Sequence, residues 1–188
     1  MSMRIGILLA YLPLAYLPME ALAHNLQLNQ AAPAVAVTNQ GELILNNEQL
    51  SARNWQLSKG AGKVRLVQHI AGRSSAKELN APLVRAITAA KLPRDRYQTV
   101  TIINVKDAIF GTSAFVRSSA ESSKREFPWS SIVVDENGVV AQTWQLKAKS
   151  SSVVLLDQKG VVLFAKEGAL TSEQIMEVMM LVRGALKN

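Results

Sequence analysis

Two aliphatic runs with a helical segment between them constrain this chain more than any other feature. Residues 64–71 read VRLVQHIA and residues 99–107 read TVTIINVKD. In the first, Val64, Leu66, Val67 and Ile70 leave little polar–apolar alternation, the pattern of a strand covered on both faces. Between the runs lie the turn 72-GRSSAKELNAP and the segment 83-LVRAITAAK. Leu79, Leu83, Ala86, Ile87 and Ala90 recur there with a period near 3.6. A strand, a helix and a second strand in this order form a βαβ unit, which requires a sheet with helices packed on it.

The spacing predicts further detail. Ser75 and Glu78 fit a capping box at the start of the helix, and Pro82 falls inside it, where it should bend the axis. Upstream, 33-PAVAVTNQGELILNNEQL suggests two short strands turning at Asn39-Gln40-Gly41. Downstream, the serine-rich 112-TSAFVRSSAESSKREF reads as a surface helix with a thin apolar face of Val116, Ala120 and Phe127. Residues 132-IVVDENGVVAQTW and 154-VLLDQKGVVLFAK share two or three aliphatics, D-x-x-G and Val-Val, and each predicts a hairpin. The chain closes on a helix with a Thr171/Gln174 capping box and an apolar stripe of Ile175, Val178, Met179, Val182 and Leu186. The expected fold is a three-layer α/β/α domain with a mixed central sheet and an added N-terminal hairpin.

The first residues have a different purpose. Met1–Arg4 carries one positive charge, residues 5–19 are apolar and uncharged, and 20-EALA ends in small residues at 21 and 23. That is the layout of a secretory signal peptide cleaved after Ala23, leaving a single domain over residues 24–188 with its core at about 32–186. Pro13 and Pro18 interrupt the apolar stretch, so no stable membrane span is expected after cleavage. The leader removes Arg4 and Glu20 together, and the net charge of +7 is unchanged. The basic residues are scattered without interleaved aromatics, which argues against nucleic acid and for an anionic ligand or surface. Cysteine is absent, so thiol–disulfide and thiolate peroxidase chemistry are excluded.

The stretch Ala32-Pro33, Gly41, Leu50, 62-GKVRLVQHIAGRSSAKELNAP, 153-VVLLDQKGVV and Gly168 resembles the thioredoxin-like fold in its exported, peroxiredoxin-related forms. More narrowly, QHIAGRSSAKE, DRYQT, FVRSS and PWSS…VVD…GV…WQL resemble the YtfJ family of exported, cysteine-free, thioredoxin-like proteins. The resemblance implies a periplasmic location. It also puts Ser74-Ser75-Ala76-Lys77 in the C-x-x-C place, Gln68 in the place of the buried acid, and Ser151 at about the place of the cis-proline. Every element of the redox chemistry is replaced.

What remains at the turn is a candidate anion- or partner-binding surface made of Gly72, Arg73, Ser74, Ser75 and Lys77, with Ser151 facing it. The expected role is a non-catalytic binding or accessory protein without cofactor, its partner an unidentified protein or a small anionic ligand in the periplasm. One alternative is a hydrolase or isomerase using Ser74 with His69. His69 by itself reads as a hydrogen-bonded core histidine. A third is copper handling, for which the α-amine and imidazole of a new N-terminal His24 would serve as ligands.

Overall fold

The structure, a computed structural model, describes residues 24–187. The predicted leader lies outside the described residues. Seven strands form one mixed sheet: β1 (Ala36–Asn46), β2 (Gln49–Gln56), β3 (Val64–Ala71), β4 (Tyr97–Asn104), β5 (Ser131–Asp135), β6 (Ser151–Leu156) and β7 (Val162–Glu167). Their order is β2-β1-β5-β4-β3-β6-β7. The pairs β3·β4 and β4·β5 are parallel and all others antiparallel. Five helices complete the layers: α1 (Ser74–Glu78), α2 (Ala81–Ala90), α3 (Ser113–Glu126), α4 (Val139–Trp144) and α5 (Ser172–Ala185). The three-layer α/β/α arrangement, the mixed sheet and the N-terminal hairpin are those expected.

Strand parity divides the core. Val67, Val100, Ile102, Val133 and Val154 face α4 and the segment 24–35, where Trp144 is fully buried and donates its indole N–H to the Pro33 carbonyl at 2.9 Å. The opposite face carries two separate clusters. Val64, Leu66 and Val153 pack under α2 and α5 through Leu83, Ile87, Val178 and Val182. Ile132 and Val134 pack under α3 through Val116 and Ala120. Between them, β4 presents the half-buried Thr99 and Thr101 on the same face.

Four local expectations fail, each for a visible reason. Asn39-Gln40-Gly41 is not the hairpin turn. Gln40 and Gly41 have positive φ, but they form a bulge within β1, between Val37 and Glu42. The chain reverses instead at Asn47-Glu48, where φ is 46° and 66°. Successive left-handed residues match the twist of an antiparallel pair, so this turn closes the hairpin.

The first of the two D-x-x-G repeats is a strand and a helix, not a hairpin. The Asp135 carboxylate accepts the amides of Val139 at 3.0 Å and Val140 at 2.9 Å, which satisfies the open end of α4. In the second repeat, Asp157 Oδ1 accepts the amides of Lys159 and Val161, both at 2.8 Å, and closes the β6–β7 turn. One motif thus serves two geometries, and its aspartate decides only which amides are captured.

The Ser75/Glu78 capping box is absent as well. The helix begins two residues earlier with Arg73 at the cap, and no side chain bonds there. The predicted bent helix is two helices, broken at Leu79–Asn80, and Pro82 sits in the first turn of α2, where a missing amide costs nothing. The Thr171/Gln174 box, by contrast, is present in both directions.

Candidate functional site

The turn after β3 is held from beneath by backbone. The Ala71 amide donates to the Ser150 carbonyl at 3.0 Å, and the Gly72 amide to the Asn104 carbonyl at 2.8 Å. A Cβ at Gly72 would lie 2.9 Å from that same carbonyl oxygen and 3.3 Å from Val116 Cγ1, so glycine is what lets the chain pass so closely. Asn80, buried at the break between α1 and α2, donates to Ser151 Oγ at 3.2 Å and to the Gly168 carbonyl at 3.0 Å. Its Oδ1 accepts the Leu170 amide at 3.0 Å. One side chain therefore ties the turn to β6 and to the approach to α5.

Arg73 reaches across to the turn that follows β4, where Nε and Nη2 donate to the Asp107 carbonyl at 3.0 and 2.8 Å. A backbone carbonyl fixes the guanidinium without cancelling its charge. Ser74, Ser75 and Lys77 are exposed, and Ser151 is buried behind them. α1 has only five residues, which leaves little macrodipole; the positive character of the turn comes from Arg73 and Lys77.

The turn stands at one end of a groove of about 900 Å³ that runs over β4 between α2 and α3. Gly72, Arg73, Ser74 and Lys77 line it; Ser75 and Ser151 do not. Its floor is Tyr97, Thr99, Thr101 and Ile103 of β4 with Gln68 and Ile70 of β3, and its walls include Val84 and Ile87 on one side and Phe115 and Val116 on the other. Tyr97 and Thr99 share a hydrogen bond of 3.1 Å, and burial holds the phenol well above its usual range despite that bond. Six cationic side chains line the groove, Lys63, Arg73, Lys77, Arg85, Lys91 and Arg94, against the single carboxylate of Glu78. The ion pairs among the described residues are Arg53–Glu42 and Arg117–Glu136, and neither involves a groove cation.

The far end is aromatic. Arg94 lies over the Trp129 ring at 3.9 Å, and Phe127 meets Trp129 edge-on with ring centroids 5.8 Å apart. Lys124 pins this end: its buried ammonium donates to the carbonyls of Pro128 at 2.9 Å and Ser130 at 2.7 Å. Burial lowers its pKa, with Glu42 acting in the opposite sense.

His69 and Ser74 are not brought together. His69 has the opposite parity to Gln68 and Ile70, so its ring points away from the groove into the other face of the sheet. It is a core histidine as expected, but not a hydrogen-bonded one. It is 1% exposed, and neither ring nitrogen has a protein partner. Burial lowers its pKa to about 4, with Asp135 and Asp107 pulling weakly the other way. His24 is also buried, with Nδ1 unpartnered, beside Asn25, whose amide donates to the Trp144 carbonyl at 3.2 Å. No group of three or more His, Cys, Asp or Glu side chains suited to a metal ion occurs among the described residues. No helix among them is long and apolar enough to cross a membrane.

The groove is the feature that sequence reasoning missed. Two signals for it were present: the threonines at 99 and 101, on a face where a covered strand would carry aliphatics, and Phe115 and Trp129 in otherwise polar surroundings.

A profile of the family described as "Bacterial protein of unknown function (YtfJ_HI0045)" matches residues 26–185. A protein of Escherichia coli (strain K12) named Uncharacterized protein YtfJ is 53% identical over 171 residues, which cover 91% of this chain and 93% of that protein. A Haemophilus influenzae protein is 43% identical over 165 residues, covering 88% and 90%. Solved structures are similar in fold alone. One from Bacteroides thetaiotaomicron, carrying a protein disulfide isomerase name, has a TM-score of 0.61 at 16% identity, covering 89% of this chain and 95% of that one. The thioredoxin domain of a thiol-disulfide oxidoreductase from Bacteroides vulgatus has a TM-score of 0.54 at 13% identity, covering 83% and 97%. The fold is thioredoxin-like, the cysteines of its chemistry are missing, and by the extent of these matches the chain belongs to the YtfJ family of bacterial proteins.

Proposed function

We propose that this is an exported, periplasmic binding or accessory protein without a catalytic role, which uses the turn Gly72–Glu78 to recognise an anionic ligand or the anionic part of a partner. The observation that carries the reading is the charge of the groove behind the turn: six cations and one carboxylate, none of them in an ion pair. Cations left without counter-charges in a concave, partly apolar site favour an anion from solution. Arg73 is the centre of this reading, because its guanidinium is fixed by the Asp107 carbonyl and its charge remains available.

Amide chemical shifts of the mature chain, followed during titration with acetate and then with inorganic phosphate, test it. Shifts are expected at residues 72–78 and should vanish in Arg73→Glu. Absence of any shift there, or shifts that survive the charge reversal, would overturn the reading.

A further inference from the structure

We infer that the groove between α2 and α3 binds a single-chain anionic amphiphile, a long-chain fatty acid, with its acid group at Arg73 and Lys77 and its chain lying along β4. This rests on the reading of the turn as an anion site and extends it to the class of ligand.

Half of the large exposed apolar side chains are gathered here. Of the eight large hydrophobic side chains exposed among the described residues, Val84, Ile109, Phe115 and Trp129 line this one groove. Scattered exposed apolar residues are ordinary, but a cluster around a concavity marks a binding surface. The volume of about 900 Å³ lies in the range of small-molecule sites.

Geometry selects a chain over a peptide. β4 is hydrogen-bonded on both sides, to β3 and β5, so the floor has no free edge that an extended peptide could join. A helical peptide does not fit either. α2 stands over β3, and α3 over β5 and β1, so two to three strand spacings separate them, about 10–15 Å. Inserting another helix between them would require two interaxial distances, about 16–20 Å. A thin, flexible hydrocarbon is what such a slot admits.

Length agrees, and the two ends differ in what covers them. From Tyr97 to Ile103 the floor extends about 20 Å at the rise of a strand, and one leaflet of a bilayer, half of its ~30 Å hydrocarbon core, shows that a fatty chain spans about 15 Å. The ends differ in character. The turn end offers Arg73 and Lys77 beside exposed hydroxyls. The other end also carries cations, but Lys63 Nζ donates to the Arg94 carbonyl at 2.8 Å, Arg94 lies on the Trp129 indole face, and Lys91 ends α2. The Phe127–Trp129 pair closes the slot there with apolar surface. The acid group belongs at the first end and the methyl end at the second.

The test compares four probes on the mature chain: palmitate, octanoate, hexadecanol and inorganic phosphate, followed by amide and indole N–H shifts and by calorimetry. Palmitate is expected to bind at least about tenfold tighter than octanoate, since added chain buries apolar surface. It should shift the Trp129 indole together with residues 72–78, and hexadecanol should bind more weakly than palmitate. Phe115 is 71% exposed, so Phe115→Asp should fold normally, as unchanged thermal unfolding would confirm, and still lose palmitate binding by about tenfold or more. If palmitate, octanoate and phosphate bind alike at the turn and leave Trp129 unmoved, the inference is overturned while the anion reading stands. If no anion binds, both fall. Tight binding of hexadecanol equal to that of palmitate would overturn the placement of the acid group.

Discussion

Lowering the pH should destabilise this protein through one residue, and the size of the effect follows from where His69 sits. Its ring is 1% exposed on the central strand, opposite Ile102 on β4 and Ser152 on β6, with no protein partner for either nitrogen. Burial pulls the pKa from 6.5 to about 4, and the attraction of Asp135 and Asp107 does not restore it. The folded protein therefore holds the neutral ring, whereas the unfolded chain takes up a proton below 6.5. The stability contribution is complete above that pH and is lost as the pH falls toward 4. At ~1.4 kcal/mol for each pH unit between the two values, the loss is about 3 kcal/mol. Against total stabilities of roughly 5–15 kcal/mol, that is a substantial fraction to rest on one ring. Urea unfolding at pH 7, 6, 5 and 4, compared between the native protein and His69→Leu, isolates the effect, because carboxylate titrations common to both cancel in the difference. The stability advantage of the native protein over the variant should shrink by about 3 kcal/mol from pH 7 to pH 4. Parallel pH profiles would refute the reasoning and make the ring either solvent-linked or already paired.

Two further outcomes test the frame around the site. Gly41→Ala places a Cβ 2.2 Å from the Arg53 carbonyl oxygen at φ 77°, whereas Gly62→Ala, at φ 91°, meets nothing within 4 Å. The first should cost about 2–4 kcal/mol and the second about 1 kcal/mol, a difference that thermal unfolding would show as several degrees. At the turn, α1 sets positions 74 and 77 one helical turn apart, within the span of a disulfide. Ser74→Cys with Lys77→Cys should therefore close an intramolecular bond under mild oxidant, read as loss of two hydrogens from the monomer mass, while Ser75→Cys with Lys77→Cys should not. A first pair that stays reduced would show that the turn does not have the geometry described.

The parts of the fold legible in the sequence are those determined by burial over a few neighbouring residues. The aliphatic runs of β3 and β4 gave both strands, because Val64, Leu66 and Val67 of the first and Val100 and Ile102 of the second are buried against helices or neighbouring core. Thr171 and Gln174 predicted their own cap because nothing distant competes for it. The errors share another cause. Asp135 and Asp157 stand in the same motif, and only the packing of Val140 and Trp144 beneath the sheet turned the first toward a helix. Ser75 and Glu78 had the spacing of a cap, but the chain entered its helix from Arg73, which the close approach of Gly72 to Asn104 had already positioned. The groove left still less trace. It arises from the separation of two helices that are distant in sequence, and Thr99 and Thr101 were its only local mark on the floor.

Charge gives the best reason to regard that groove as a site and not as loose packing. The whole chain carries 21 lysines and arginines against 14 aspartates and glutamates, a ratio of 21 to 14, or 1.5 to 1. The groove lining carries six against one. A basic protein whose charge served only solubility would spread that ratio evenly, and its concave surfaces would be the last place for an excess, because low-dielectric walls strengthen the mutual repulsion of like charges. The acid beside Arg73 is engaged elsewhere: the Asp107 carboxylate accepts the Lys149 amide at 2.8 Å. The turn itself is held by Gly72, Asn80 and backbone carbonyls, with no sulfur in its support. The chain has no cysteine, and the shape of the turn does not depend on one. At that turn the repulsion among Arg73, Lys77 and their neighbours is a standing cost, and an anion in the groove would relieve it.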